Sequence, residues 1–370
     1  MRPLDGIRVL DLTRLLPGAS ATQTLPNFGA EVIKVEEPGR GDYSRFMPPL
    51  IDGVGAMFTL LNRGKKSVAL NMKEPRARDA LLKLAESADV LIESFRPGVL
   101  ERFGVGWNTL RKVNPRLIYV PLTGYGHSGG RVLEAGHDVN YMSLGGALGE
   151  LGGVPGIQIA DLAGGAMQAV IGVLLALAAR EKTGRGQLVD VAMLDGVVSL
   201  LPIPLAWLNA GAGENILSGR YACYSVYKAA DGRRLAVGAL EPKFWKNVCI
   251  VLGFPEFAAD QFAGEPRRTE IRNAVSSAFL AHSAGEWLAS FAGVDACVTL
   301  VRSVAETFAD EELRVRGTVM RIDGMDHIGV TPKLEETPGV LGGAPPELGQ
   351  HTREVLRAAN LTEDELEALC

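Results

Sequence analysis

Ile7-Arg8-Val9-Leu10-Asp11-Leu12 and, a helix length later, Glu31-Val32-Ile33-Lys34-Val35 are two short runs rich in β-branched and aliphatic residues. Ser67-Val68-Ala69-Leu70, Asp89-Val90-Leu91-Ile92 and Leu117-Ile118-Tyr119-Val120 continue the series. Strands separated by helix-length stretches pair through crossovers, so the alternation predicts an α/β fold with a parallel sheet covered by helices. Helical apolar spacing over residues 76–88, and a shorter version over 108–113, supplies two of those helices. Residues 187–193 read as a further strand, and 194–208 as a helix disturbed by Pro202 and Pro204.

The texture then changes. Residues 209–219 have the Gly and Asn content of a linker. Beyond them, Tyr224-Ser225-Val226-Tyr227 and Leu235-Ala236-Val237-Gly238 flank Asp231-Gly232, a turn signal for an antiparallel hairpin that opens a second unit. Helical patterns follow at 243–252, 268–281 and 286–292, with a strand at 297–301. A Pro- and Gly-rich region, 320–346, leads to helices at 352–359 and, capped by Thr362, at 363–369.

With 370 residues the chain has material for two domains and a real core. A net charge of -5 argues against a general nucleic-acid binder, so an anionic ligand must be held by a local patch. The four cysteines, Cys223, Cys249, Cys297 and Cys370, are widely spaced, which points to neither a zinc site nor a disulfide framework; no metal is expected and a reducing cytoplasm is. No signal peptide is expected ahead of Leu4-Asp5-Gly6. Residues 162–179 carry no formal charge and are long enough to span a membrane. Gly164, Gly165, Gln168 and Gly172 within them, and Asp161 just before, favour instead a helix buried on all sides in a large core.

Several clusters bear on chemistry. Gly136-His137-Asp138-Val139-Asn140-Tyr141 sets an imidazole beside a carboxylate in a Gly-bounded turn, some two dozen residues before the isolated Asp161. Asp161 also suits the first turn of the apolar helix, where the dipole favours a carboxylate; the glycines behind it admit a ligand or another backbone. Arg63, Lys65, Lys66, Lys73, Arg76, Arg78 and Lys83, against Glu74 and Asp79, give a local charge of 7 minus 2, or +5. They read either as a solvated helix face or as a clamp for a polyanionic handle, with Arg96 and Arg102 on the next turn adding to it. Neither Gly-x-Gly-x-x-Gly after the first strand nor a Walker loop is present, so nicotinamide and triphosphate cofactors are poorly supported. Gly126-His127-Ser128-Gly129-Gly130 matches a nucleophile elbow, but the long helix such a serine needs does not follow.

Asp11-Leu12-Thr13-Arg14-Leu15-Leu16-Pro17-Gly18, Gly29-Ala30-Glu31-Val32-Ile33-Lys34-Val35-Glu36, Phe95-Arg96-Pro97-Gly98, the Gly136–Tyr141 turn, Asp161-Leu162-Ala163-Gly164-Gly165 and Thr183-Gly184-Arg185-Gly186-Gln187-Leu188-Val189-Asp190-Val191 occur in one consistent order. Together they resemble the family III CoA-transferase superfamily (CaiB/BaiF type), and within it the α-methylacyl-CoA racemase branch. The resemblance implies a large Rossmann-like α/β CoA-binding domain from 1–205, a linker at 206–221, a small α+β domain at 222–310, and a return through 311–370 to the large domain. It implies a homodimer of interlocked rings, with acyl-CoA bound between the large domain of one subunit and the small domain of the other. CoA enters as part of the substrate thioester, with no separate cofactor. The catalytic set corresponds to His137, Asp161 and Glu241. CoA contacts fall on Arg14, Leu15 and Leu16, on Leu70, Asn71, Met72 and Lys73, on Phe95, Arg96 and Arg102, and on Asp138 and Tyr141 of the histidine turn. Glu37-Pro38 departs from the racemase pattern, which often has a base there; Arg14 is the replacement expected.

Inverting a carbon next to a thioester means removing a proton from one face and returning one to the other. His137 and Asp161 would exchange those roles with direction, and Glu241 would fix the histidine tautomer. Burial should raise the Asp161 pKa while the helix dipole opposes it. Backbone donors for the enolate oxygen are expected from Gly145-Gly146 or Gly164-Gly165. A CoA-transferase would instead use Asp161 as a nucleophile through an anhydride and thioester relay.

Overall fold

The computed structural model describes residues 1–213 and 215–369. The chain divides into two compact units, Met1–Leu201 with Arg316–Cys370, and Pro202–Val315.

The first unit is built on a six-stranded sheet. Its strands run in the order Lys66–Ala69, Glu31–Glu36, Arg8–Leu12, Val90–Glu93, Ile118–Thr123 and Val191–Ala192, every neighbouring pair parallel. In chain order that is 3-2-1-4-5-6, the doubly wound arrangement, whose direction of growth reverses between Arg8–Leu12 and Val90–Glu93. Ligands of such sheets bind outside the carboxyl ends of the strands at this reversal. Alternate side chains of the central strands feed separate cores: Val9, Val90, Ile92, Ile118 and Val120 face one, Leu10, Ile33, Val68, Leu91 and Tyr119 the other.

Helix Pro75–Glu86 covers the second face through Ala77, Ala80, Leu81 and Leu84. Its proline sits at the first turn, where the missing N–H costs nothing. The C-terminal helices return to the same face: Val355, Leu356, Leu361 and Leu366 join that core, and the His351 N–H donates to the Ser67 carbonyl at 2.9 Å. Helix Leu15–Asn27 and the long apolar helix lie on the first face, where Ala21 and Leu25 share a core with Ala160, Ala166, Ala169 and Val173.

That long helix differs from expectation. Its first turns, Ala160–Met167, wind as a wide π-helix and Gln168–Thr183 continues as α-helix. It is not buried on all sides: Met167, Ile171, Leu174 and Leu175 stand exposed, Leu175 by 66%. Composition shows how apolar a helix is, not how many of its faces its own chain covers. The stretch expected as one helix at 194–208 is two, Met193–Val198 and Pro202–Asn209, the second starting at the proline that cannot continue the first.

The second unit carries the predicted hairpin, Tyr224–Lys228 against Arg234–Gly238, with Val298–Leu300 as third strand, all antiparallel. Helices Pro242–Leu252, Arg267–Phe279 and Ala284–Ser290 close over it around Trp245, Tyr227 and Phe279.

Candidate active site

At the sheet reversal the chain leaves Leu12, turns at Thr13-Arg14 and starts the helix at Leu15, whose φ of 61° is a left-handed conformation that a leucine rarely adopts. Buried ionic chemistry holds it there. The Leu15 N–H reaches both Asp42 carboxylate oxygens at 3.3 Å. Asp42 pairs with the Lys34 Nζ at 3.0 Å, and that ammonium donates to the Thr13 carbonyl at 2.9 Å. Asp11 accepts from the Thr13 N–H and hydroxyl at 2.9 and 2.6 Å, from the Thr22 hydroxyl at 2.6 Å and from the Lys65 Nζ at 3.2 Å. Burial opposes ionisation of Asp11, but Lys34, Lys65 and the two threonines outweigh it and hold the carboxyl down at about 2. Burial, with the like charge of Lys34, lowers Lys65 to about 8.

On this base Arg14 spans the reversal. Its N–H donates to Ser94 Oγ at 3.0 Å and its Nη1 to the Tyr43 hydroxyl at 2.9 Å. Its guanidinium lies 5.1 Å from the Tyr43 ring centre and 5.5 Å from that of Phe95. Arg14, Leu15, Leu16, Phe95 and Arg96 thus gather where the sheet topology places a ligand, with Arg96 exposed. Leu70, Asn71, Met72 and Lys73 follow the edge strand Lys66–Ala69; Leu70 is buried, whereas Lys73 is open with its Nζ 3.8 Å from Glu37. Arg102, on the short helix Val99–Arg102, is exposed.

The seven bases of the positive stretch do not make one patch. Lys65 belongs to the buried cluster, Lys66 pairs with Glu31 at 2.9 Å and Glu354 at 2.7 Å, and Lys83 lies 3.6 Å from Glu365. Arg78 donates to the Met72 and Lys73 carbonyls at 2.9 and 2.6 Å, shaping the segment expected to meet CoA.

The second half of the site starts at His137, the N-cap of helix Asp138–Leu144. Its N–H donates to the Asn140 side chain at 3.0 Å, and its imidazole is in an exposed residue. Asp138 accepts the Asp161 N–H at 2.9 Å, which ties the histidine turn to the first π-helical turn. Such widened turns are frequent at functional sites. Burial, then the like charge of Asp138, raises the Asp161 carboxyl to about 6, with His137 opposing. Tyr141, its hydroxyl 2.6 Å from the Gly136 carbonyl, stacks edge-on against Tyr125 at 5.2 Å, and burial pushes it up to about 12. Glu241 lies in the second unit, exposed at the N-cap of helix Pro242–Leu252.

Of the two alternatives at Gly164 the second holds, while the Gly145-Gly146 expectation needs correcting. A Cβ on Gly164 would come within 2.7 Å of the Met193 carbonyl oxygen, and one on Gly196 within 2.0 Å of the Gly164 carbonyl oxygen. Another backbone, not a ligand, comes close at Gly164. The Gly145 and Gly146 N–H groups are already given to Tyr141 and Ser143 carbonyls at 2.8 and 3.2 Å, so they are not free enolate donors. Sequence reading also missed Tyr125, Lys34, Asp42 and Glu93. Lys34 and Glu93 had a usable signal, a charge in or ending a buried strand, which must find a partner.

The family model described as CoA-transferase family III matches residues 4–352. The chain belongs to this family. It is 34% identical over 380 residues to the Homo sapiens alpha-methylacyl-CoA racemase, covering 98% of this chain and 95% of that protein. It is 33% identical to the Mus musculus succinyl-CoA:glutarate CoA-transferase, covering 96% and 86%. A CAIB/BAIF family protein from Brucella suis superposes with a TM-score of 0.84 at 29% identity, covering 97% of this family III chain and 99% of the other. Racemases and transferases of the family thus stand at similar distance.

Proposed function

We propose that this family III enzyme is an acyl-CoA racemase or epimerase that inverts the α-carbon of 2-methylacyl-CoA thioesters by two-base 1,1-proton transfer. One observation carries the reading: an exposed imidazole, His137, beside a carboxyl raised to about 6, Asp161. An ordinary aspartate keeps its proton in about one molecule in a thousand at neutral pH, whereas a carboxyl at about 6 keeps it in roughly one in ten and can return it. In one direction neutral His137 takes the α-proton, the C–H electron pair moves into the thioester carbonyl, and protonated Asp161 delivers a proton to the opposite face. In the other direction Asp161 is the base and the imidazolium the acid. The phosphate-bearing handle is assigned to the sheet reversal, on Arg14, Phe95, Arg96 and the 70–73 segment. Glu241 is assigned to the same catalytic set as the partner of the imidazole, supplied by a second copy in an interlocked homodimer. The exposed apolar face at Met167, Ile171 and Leu175 suits burial by that copy.

The CoA-transferase reading has one observation in its favour, transferase relatives at nearly the same identity. There Asp161 attacks as a carboxylate, a form that a group titrating at about 6 still largely holds at neutral pH. Incubation with acyl-CoA and hydroxylamine separates the two. A racemase keeps its activity; an enzyme inactivated by hydroxylamine only when acyl-CoA is present passes through a covalent Asp161 intermediate.

A further inference from the structure

Glu93 ends the fourth strand of the sheet order at the reversal itself, and it is 2% exposed. It has no ion-pair partner among the described residues. Instead its two oxygens take one donor each: the Phe95 N–H at 2.6 Å and the Tyr119 hydroxyl at 2.8 Å. Trp107 stacks on Tyr119 at 5.7 Å and 17°, fixing the ring that carries that hydroxyl. Phe95 packs on the same core and presents its ring to the Arg14 guanidinium, while Ser94 between them accepts the Arg14 N–H. A buried carboxyl with no cation is expensive, and the proton-transfer step has no use for it. It touches the loop that carries Arg96 and that accepts the Arg14 N–H through Ser94.

We propose that Glu93 is a positioning residue for the CoA handle, anchoring the Phe95 backbone and, through the Phe95 ring, setting where Arg14 presents its charge. This rests on the acyl-CoA reading above. The ionised carboxylate accepts from both donors, and its bond to the Phe95 N–H is charge-assisted, about twice as strong as a neutral one. Protonation removes that assistance and puts a hydrogen on an oxygen that faces a donor. The ionisable groups facing Glu93 are Tyr119 on the neighbouring strand and Glu101 on helix Val99–Arg102; Leu12, its register partner on the other side, is uncharged. Burial raises Glu93 to about 7, and Glu101 adds to the rise, while the Phe95 and Tyr119 bonds oppose it. The anchor therefore tightens as pH rises through neutrality.

The test is the affinity of the full-length protein for CoA, measured by calorimetry at pH 6, 7 and 8 for wild type and Glu93→Gln. Gln keeps an acceptor for Phe95 but cannot ionise. The ratio of the two dissociation constants cancels the titration of the 3′-phosphate of CoA. Wild type should gain about three- to tenfold on Glu93→Gln between pH 6 and 8, the difference between a charge-assisted and a neutral hydrogen bond. Tyr119→Phe, which removes one support of the carboxylate, should move the wild-type transition to higher pH, and it carries the test alone if the Gln variant does not fold. A ratio that stays constant with pH, or a Tyr119→Phe transition that does not move, would overturn the positioning role, since a merely structural loss is the same at every pH. Absence of CoA binding by wild type at all three pH values would instead overturn the acyl-CoA reading, and the role of Glu93 with it.

Discussion

Lys34→Met should be the most damaging single substitution away from the proton-transfer groups. The fully buried Lys34 ammonium stands 3.0 Å from Asp42, 3.9 Å from Asp11 and 2.9 Å from the Thr13 carbonyl. Without it Asp11 keeps Lys65 at 3.2 Å and two threonine hydroxyls, but Asp42 loses its one ion-pair partner among the described residues. Breaking one side of a buried pair costs about 3–5 kcal/mol, a large part of the roughly 5–15 kcal/mol that holds a domain together. Most of that cost is the stranded charge, so Lys34→Met/Asp42→Asn should recover about 2 kcal/mol while keeping acceptors for Leu15 and Ser44. Urea unfolding at pH 7, followed by far-ultraviolet circular dichroism, measures both. The acid side carries the same signature. Asp11, lowered from 3.8 to about 2, contributes stability that is present above pH 3.8 and lost as the pH falls through 2. In Lys34→Met the folded value moves back toward 3.8, so that loss should be smaller and complete at higher pH. A single-variant cost below about 1 kcal/mol, or no recovery in the double variant, would refute the idea that this cluster holds the Arg14 loop.

Gly196→Ala would drive a methyl group to 2.0 Å from the Gly164 carbonyl oxygen, a backbone atom that cannot swing aside. Overpacking of this kind costs about 1–3 kcal/mol, so Tm should fall by several degrees and proton exchange with it, because the displaced turn carries Asp161. Asp138→Asn removes the like charge beside Asp161 and keeps an acceptor for its N–H, so the acid limb of the exchange rate should move to lower pH, by about one unit or less. An unchanged or alkaline-shifted limb would contradict the electrostatic cause given for the raised carboxyl. Asp161 itself binds a proton more tightly when folded, so wild type loses stability between pH 3.8 and about 6. Asp161→Asn, having no such loss, should be the more stable protein at pH 8 in thermal unfolding.

The parallel sheet was legible because five short runs rich in β-branched and aliphatic residues alternate with helix-length stretches, a spacing that calls for crossovers. The last strand was overestimated: of residues 187–193 only Val191–Ala192 forms a strand, with a single bridge from Leu188 to Tyr119 before it. The histidine turn and Asp161 could be found by their residue types, and the structure joins them through Asp138, a link that no spacing rule supplies. What stayed hidden depended on partners far along the chain. Lys66 belongs with Glu31 and Glu354, and Lys83 with Glu365, so a local count of charges could not foresee that the positive stretch disperses. The Gly164-Gly165 pair has the same lesson. A glycine shows that something comes close, and only the fold showed that at Gly164 it is the backbone around Met193 and Gly196. The exposed side of the long helix was invisible for a related reason, since apolar residues look alike whether their own chain covers them or another must.

Single-base variants test most directly whether two groups act on opposite faces of one carbon. Wild type, His137→Ala and Asp161→Ala are each given one pure enantiomer of a 2-methylacyl-CoA in deuterated buffer, and deuterium at the α-carbon is followed by mass spectrometry together with inversion. Wild type should incorporate deuterium as it inverts, and both variants should lose inversion by orders of magnitude. Inversion at the wild-type rate in either variant would contradict the two-base mechanism.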